Sequence, residues 1–94
     1  MGEVTIIHVN DELDTKTETI LKDGEEFYWL LFHNVSTVTQ YLSFDGGSNW
    51  KQVAADKTLE LTAPPNMKIH LSEPLKAKAA ASGAKFEMLI MKDR

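Results

Sequence analysis

There is no cysteine in this chain, which excludes disulfides, thiolate catalysis and cysteine-ligated zinc and leaves the redox compartment open. Nor is there an apolar run approaching the roughly 20 residues that a membrane-spanning helix needs. Positive charge is scarce and scattered: Lys and Arg number 10 against 14 Asp and Glu, a net charge of −4. Neither nucleic acid nor an anionic membrane is the main partner expected of such a chain. The first residues, MGEVTIIHVNDELD, lack a basic segment followed by a long apolar stretch, so no signal peptide is expected there. The Met-Gly start has Ile6 where a myristoylation signal carries Ser or Thr, which argues against that lipid anchor. No stretch is low in complexity, and no repeat longer than a hairpin is visible.

Reactive constellations are missing too. Ser36, Ser43, Ser48, Ser72 and Ser82 all lie outside a nucleophile-elbow context. The pair Gly46-Gly47 is followed by neither a helix nor Lys-Ser/Thr, so it is no phosphate loop. Asp11, Glu12 and Asp14 lack the Gly and the distal Glu of a calcium loop and read as solvated turn carboxylates. His8, His33 and His70 each fall on an expected strand, but no two stand at ligand spacing within one strand. No catalytic residue, metal ligand or cofactor site is assigned, and the chain is not expected to be an enzyme.

What the sequence does contain is an ordinary globular composition, 43% apolar and 26% charged over 94 residues, enough for one domain with a single core. Short apolar or alternating runs recur about every ten residues, at 4–9, 15–21, 26–33, 38–44, 51–54, 58–62, 67–71, 75–81 and 85–92. Turn chemistry separates them, with Asp23-Gly24, Pro64-Pro65-Asn66 and Ser82-Gly83 the clearest breaks. The run at 75–81, LKAKAAA, has helix propensity, but its alternation and its neighbours favour a strand. The expectation is an all-β, single-domain antiparallel β-sandwich, jelly-roll-like, of about eight strands.

The stretch at 41–53, YLSFDGGSNWKQV, alternates into a Gly-rich reversal and resumes beyond it, which predicts a hairpin. Asp45 can accept hydrogen bonds from turn amides, Gly46 and Gly47 can take positive φ, and Trp50 can fold its indole over the hairpin base. Ser43, Asp45, Gly47 and Trp50 also fit the Asp-box pattern, Ser/Thr-x-Asp-x-Gly-x-x-Trp, of sialidase-like propellers. A propeller needs several blades of about forty residues, and this chain has room for barely two. The box is therefore read as a structural hairpin.

Residues 26–33, EFYWLLFH, are apolar on both alternate faces, Phe27, Trp29 and Leu31 against Tyr28, Leu30 and Phe32. One core takes one face, so the other is covered by the opposing layer, a loop or a neighbouring chain. These six residues are the candidate protein interface, and the surplus apolar surface points to a homo-oligomer or another protein partner. The competing reading is a carbohydrate-binding platform made by Tyr28, Trp29, Tyr41 and Trp50.

The order of these features resembles that of small all-β virion proteins of tailed bacteriophages. The resemblance is carried by Asn34-Val-Ser36, a strand ending Tyr-Leu-Ser-Phe-Asp-Gly-Gly at 41–47, then Trp50, Val53 and Ala55, an alternating Thr-Leu-x-Leu strand and a closing strand. It spans roughly residues 27–92. It implies a non-enzymatic part of the particle, assembled in the host bacterial cytoplasm: a capsid decoration or cement protein, a fibre, or a tail component. Its partners would be major capsid or tail proteins.

Overall fold

The computed structural model describes residues 4–92. Those residues form ten strands and no helix: β1 (Val4–Leu13), β2 (Glu18–Leu21), β3 (Glu26–Phe27), β4 (Trp29–Asn34), β5 (Gln40–Ser43), β6 (Lys51–Val53), β7 (Thr58–Thr62), β8 (Ile69–His70), β9 (Leu75–Ala79) and β10 (Ala84–Met91). All pairings are antiparallel. Eight strands make two four-stranded sheets, ordered β1-β10-β4-β7 and β2-β9-β5-β6, and the short β3 and β8 form a separate ribbon. Both ribbon strands fall within expected runs, β8 in 67–71 and β3 in 26–33, and the strand count rises because the run at 26–33 divides into β3 and β4.

Turn chemistry sets the reversals. Gly24 sits at φ 86° and its amide donates to the Leu71 carbonyl at 2.8 Å. At 64–67 proline precedes Asn66, which takes φ 63°, and the Met67 amide closes the turn on the Pro64 carbonyl at 3.2 Å. Proline followed by a left-handed Asn is the requirement of a type II turn. Asp56 plays the same part at φ 60°, with the Lys57 amide bonded to the Ala54 carbonyl at 3.0 Å.

The sheets share one core. Leu30 and Phe32 of β4, Phe86, Met88 and Ile90 of β10, Leu42 of β5 and Leu75 and Ala77 of β9 are all buried in it. Phe32 and Phe86 stack at 5.3 Å between ring centres. The Ala residues of β9 alternate inward and its Lys residues outward, which is why LKAKA is a strand: small side chains fit where two sheets meet.

Three expectations change. The polar residues after Val9 do not end β1, which continues to Leu13; register shifts beside His8 absorb the extra residues. Met67 does not point inward but is 58% exposed, because it lies in the turn rather than in β8. Most consequential is the run at 26–33, which is not one strand. It breaks at Tyr28, where the chain leaves the ribbon for the sheet. The Tyr28 amide still donates to the Met91 carbonyl at 2.8 Å, and the Ala63 amide donates to the Tyr28 carbonyl at 2.8 Å. The break shifts side-chain parity by one, so Phe27 joins Leu30 and Phe32 in the core and parts from Trp29 and Leu31.

Candidate functional site: an apolar sheet face and the Asp45 hairpin

Strand register assembles the outer face of the first sheet. Because residues directly opposite each other point to the same side, side-chain rows can be followed across its strands. One row runs Val4, Met91, Trp29, Thr62, and the next runs Ile6, Leu89, Leu31, Glu60. A third row holds Glu87, His33 and Thr58. Two contiguous rows are thus apolar over three strands. Val4, Ile6 and Val9 are 55%, 60% and 53% exposed. Ile6, Val9, Leu31 and Leu89, together with His8, His33 and Glu87, line a shallow pocket of about 130 Å³. Trp29 is tied down by its indole, whose Nε1 donates to Glu60 Oε2 at 2.5 Å.

Of the six candidate interface residues, Trp29 and Leu31 reach this face. Phe27, Leu30 and Phe32 are fully buried, and Tyr28 is half-buried at the bend, its ring 5.2 Å from the Lys68 ammonium. Sequence reasoning names one strand of the face, counts the apolar segment at 86–91 as surplus surface for an interface, and misses β1. The signal in β10 was present, since Leu89 and Met91 alternate with buried Met88 and Ile90.

The hairpin lies at one end of the second sheet. Gln40, Tyr41 and Leu42 pair with Val53, Gln52 and Lys51. Ser43 Oγ donates to Asp45 Oδ1 at 2.7 Å, the Ser48 and Asn49 amides donate to the same oxygen at 3.1 and 2.9 Å, and Asn49 Nδ2 donates to Oδ2 at 2.7 Å. Chiefly the Asn49 side chain, then its amide and the Ser43 hydroxyl, hold the Asp45 carboxyl down at about 2. Gly46 and Gly47 take φ 76° and 101°. A methyl on Gly47 would stand 3.7 Å from Trp50 Cζ2, so the indole does fold back over its own turn. Every acceptor site that shapes the loop is aimed at the loop itself. An open cleft of about 280 Å³ beside it is lined by Leu42, Phe44, Asp45, Asn49, Trp50 and Lys51.

The four aromatics of the sugar-platform reading do not share a surface. Trp29 is on the outer face of the first sheet, while Tyr41 and Trp50 belong to the second and flank Lys78, whose Nζ lies 5.8 and 4.3 Å from their ring centres.

The histidines do not converge as metal ligands. His8 Nδ1 faces Asp11 Oδ2 at 2.5 Å and its Nε2 faces the Ile20 carbonyl at 2.9 Å, so both nitrogens are engaged. His33 pairs with Asp56 at 3.4 Å and His70 with Glu26 at 3.5 Å. Among the described residues no three His, Asp or Glu side chains form a group that holds a metal ion.

Asn34, the last residue of β4, is fully buried although a turn follows it. Its Nδ2 donates to the carbonyls of Val38, Val53 and Ala54 at 2.8, 2.9 and 3.2 Å, and its Oδ1 accepts from the Ser36 amide and hydroxyl at 2.9 and 2.6 Å. Gln40 Nε2 extends the network to the Lys85 carbonyl at 2.9 Å. The Asn-x-Ser motif is therefore a polar plug joining three strand ends, with no group offered to a ligand.

No protein-family model matches the sequence, and no curated protein matches it. Among solved structures the chain is similar to a de novo designed double-stranded β-helix, with 9% identity over 97% of this chain and 99% of that one and a TM-score of 0.45. It is similar to a conserved protein of unknown function from Streptococcus pyogenes, with 13% identity over 100% of this chain and 76% of that one and a TM-score of 0.47. An RmlC-like cupin protein from Desulfovibrio desulfuricans is similar at 12% identity over 97% and 81%, with a TM-score of 0.44. At this level the likeness assigns no activity, ligand or partner to the chain.

Proposed function

We infer that the chain is a non-enzymatic structural subunit of a bacteriophage virion, a capsid decoration or cement protein, which binds protein partners through the outer face of β1-β10-β4-β7. The observation that carries this reading is the pair of apolar rows on that face, with Ile6 60% exposed. Apolar side chains in contiguous rows, rimmed by polar ones, mark a protein contact. The order of the two sheets supports it. Strands β1-β10-β4-β7 over β2-β9-β5-β6 is the arrangement of an eight-stranded jelly-roll sandwich, an architecture used by viral capsid domains. The turn and plug motifs that resemble virion proteins are scaffold in this structure, so the resemblance adds to the fold and partner class but names no contact.

Cosedimentation of the purified chain with capsid shells, and separately with tails, of the phage that encodes it tests the reading. Binding to shells that Ile6→Lys abolishes is the expected result. Binding to tails alone would move the subunit to the tail, and binding to neither would overturn the virion reading.

Carbohydrate binding is the second reading, favoured by the cleft beside Trp50. It predicts indole fluorescence that changes on titration with polysaccharide and a chain that binds no virion protein.

A further inference from the structure

The outer face of the second sheet differs in charge from that of the first. The Lys residues of β9 point outward, and strand register extends their rows across the sheet. Lys78 stands beside Tyr41 and Gln52, and Lys76 beside Thr19. Neither row contains Asp or Glu, in a chain whose net charge is −4. Among the described residues neither ammonium forms an ion pair. Lys78 rests instead against two rings, 4.3 Å from the centre of Trp50 and 5.8 Å from that of Tyr41. At the hairpin end the Asp45 carboxylate is taken up by its own turn, and Glu73 reaches that turn beside Gly46. We propose that this face binds an acidic polysaccharide, a chain of pyranose units bearing carboxylates. The proposal rests on the carbohydrate reading, moves its site from the cleft to the sheet face, and names the class of sugar.

Aromatic rings beside an ammonium without a carboxylate suit a ligand that joins a C–H face to a negative charge in one unit. A hexuronate has both. Lys78 is what separates acidic from neutral sugars. A neutral sugar that stacks on Trp50 strips the ammonium from the ring and offers only hydroxyl groups in return for the lost cation–π contact. A carboxylate replaces that contact with a charge-assisted hydrogen bond, so the same displacement becomes favourable. Lys76 lies two residues away on the same strand, about 6.6 Å along it, and gives a second acid of the same polymer its own partner. Thr19 and Gln52 add neutral donors and acceptors for ring hydroxyls. Nucleic acid fits less well. Two ammonium groups neutralise few phosphates, and the net charge of −4 opposes the rest of such a polyanion.

Isothermal titration of the whole chain with polygalacturonate, and with the same polymer after methyl esterification, tests the proposal without any variant. The acid is expected to bind at least about tenfold more tightly than the ester, and its binding should weaken as salt rises. Lys78→Gln should weaken polygalacturonate binding by about tenfold or more, the size of one charge-assisted bond, while circular dichroism shows an unchanged fold. Lys78→Arg, which keeps the charge, should retain binding. Lys85→Gln, an exposed position on the other sheet, should leave it unchanged. Equal binding of acid and ester overturns the proposal and leaves the carbohydrate reading standing, whereas binding of neither defeats both. Equal losses in Lys78→Gln and Lys85→Gln overturn it too, as does single-stranded DNA bound as tightly as polygalacturonate, since either would mean general attraction for polyanions. The virion reading concerns the first sheet, and cosedimentation with shells and tails decides it separately.

Discussion

The ammonium of Lys78 stands 4.3 Å from the centre of the Trp50 ring, while the other side of the indole's edge rests near Gly47. One tryptophan thus closes the Asp45 turn and carries a cation–π contact to the neighbouring strand β9. A ring held in this way is part of the scaffold first, and any sugar would have to displace Lys78 to stack on that face.

Truncating Trp50 should therefore cost less than removing a core aromatic. Trp50→Ala is expected to destabilise by about 2 kcal/mol, short of the roughly 3–5 kcal/mol of a fully buried ring, because the indole is half-buried. Lys78→Met should cost about 0.5–1 kcal/mol through loss of the cation–π contact. Urea unfolding of the two variants and their double mutant checks both numbers and their coupling.

Asp45 makes stability depend on acid. Its carboxyl ionises at about 2 against an ordinary value of 3.8, so the folded state favours the charged form. That contribution is fully present above 3.8, and is lost as pH falls through about 2. Asp45→Asn should flatten the acid limb of a plot of unfolding midpoint against pH, and leave its slope near neutrality unchanged. An identical acid limb in the variant would show that the turn bonds do not distinguish the two protonation states.

Adjacent leucines should behave in opposite ways. Leu30 is fully buried, and a carboxylate there has no partner, so Leu30→Asp should unfold the domain. Leu31 lies on the outer face, and Leu31→Asp should leave a folded chain that no longer associates. Circular dichroism and sedimentation of the pair measure both outcomes. Two folded variants, or two unfolded ones, would contradict the parity described for β4.

The Asn34 plug should be among the least tolerant polar positions. Asn34→Ala strips bonds from three buried or half-buried carbonyls and from Ser36, for an expected loss of about 3 kcal/mol. Asn34→Asp should be no milder, since a carboxylate cannot donate to those carbonyls. Thermal unfolding of both variants tests this, and retention of the wild-type midpoint by Asn34→Asp would show that the donors are dispensable.

Much of this protein was written locally. The all-β class, the hairpin at 41–53, the turns at Gly24 and Asn66 and the inward alternation of β9 follow from side-chain periodicity and from which residues tolerate positive φ. Both act over a few neighbouring residues. The parity of 26–33 was not local, because Tyr28 bends only where the ribbon formed with β8 gives way to the sheet formed with β10 and β7. Asn34 looked like any turn residue until strand ends from β5, β6 and β10 closed around it. The apolar face is the clearest case. Val4 and Ile6, Trp29 and Leu31, and Leu89 and Met91 come from the beginning, the first third and the end of the chain. Only the antiparallel order β1-β10-β4 sets them side by side. Periodicity determined which residues of each strand point the same way; hydrogen-bonded pairing between distant strands decided which of those faces became one surface.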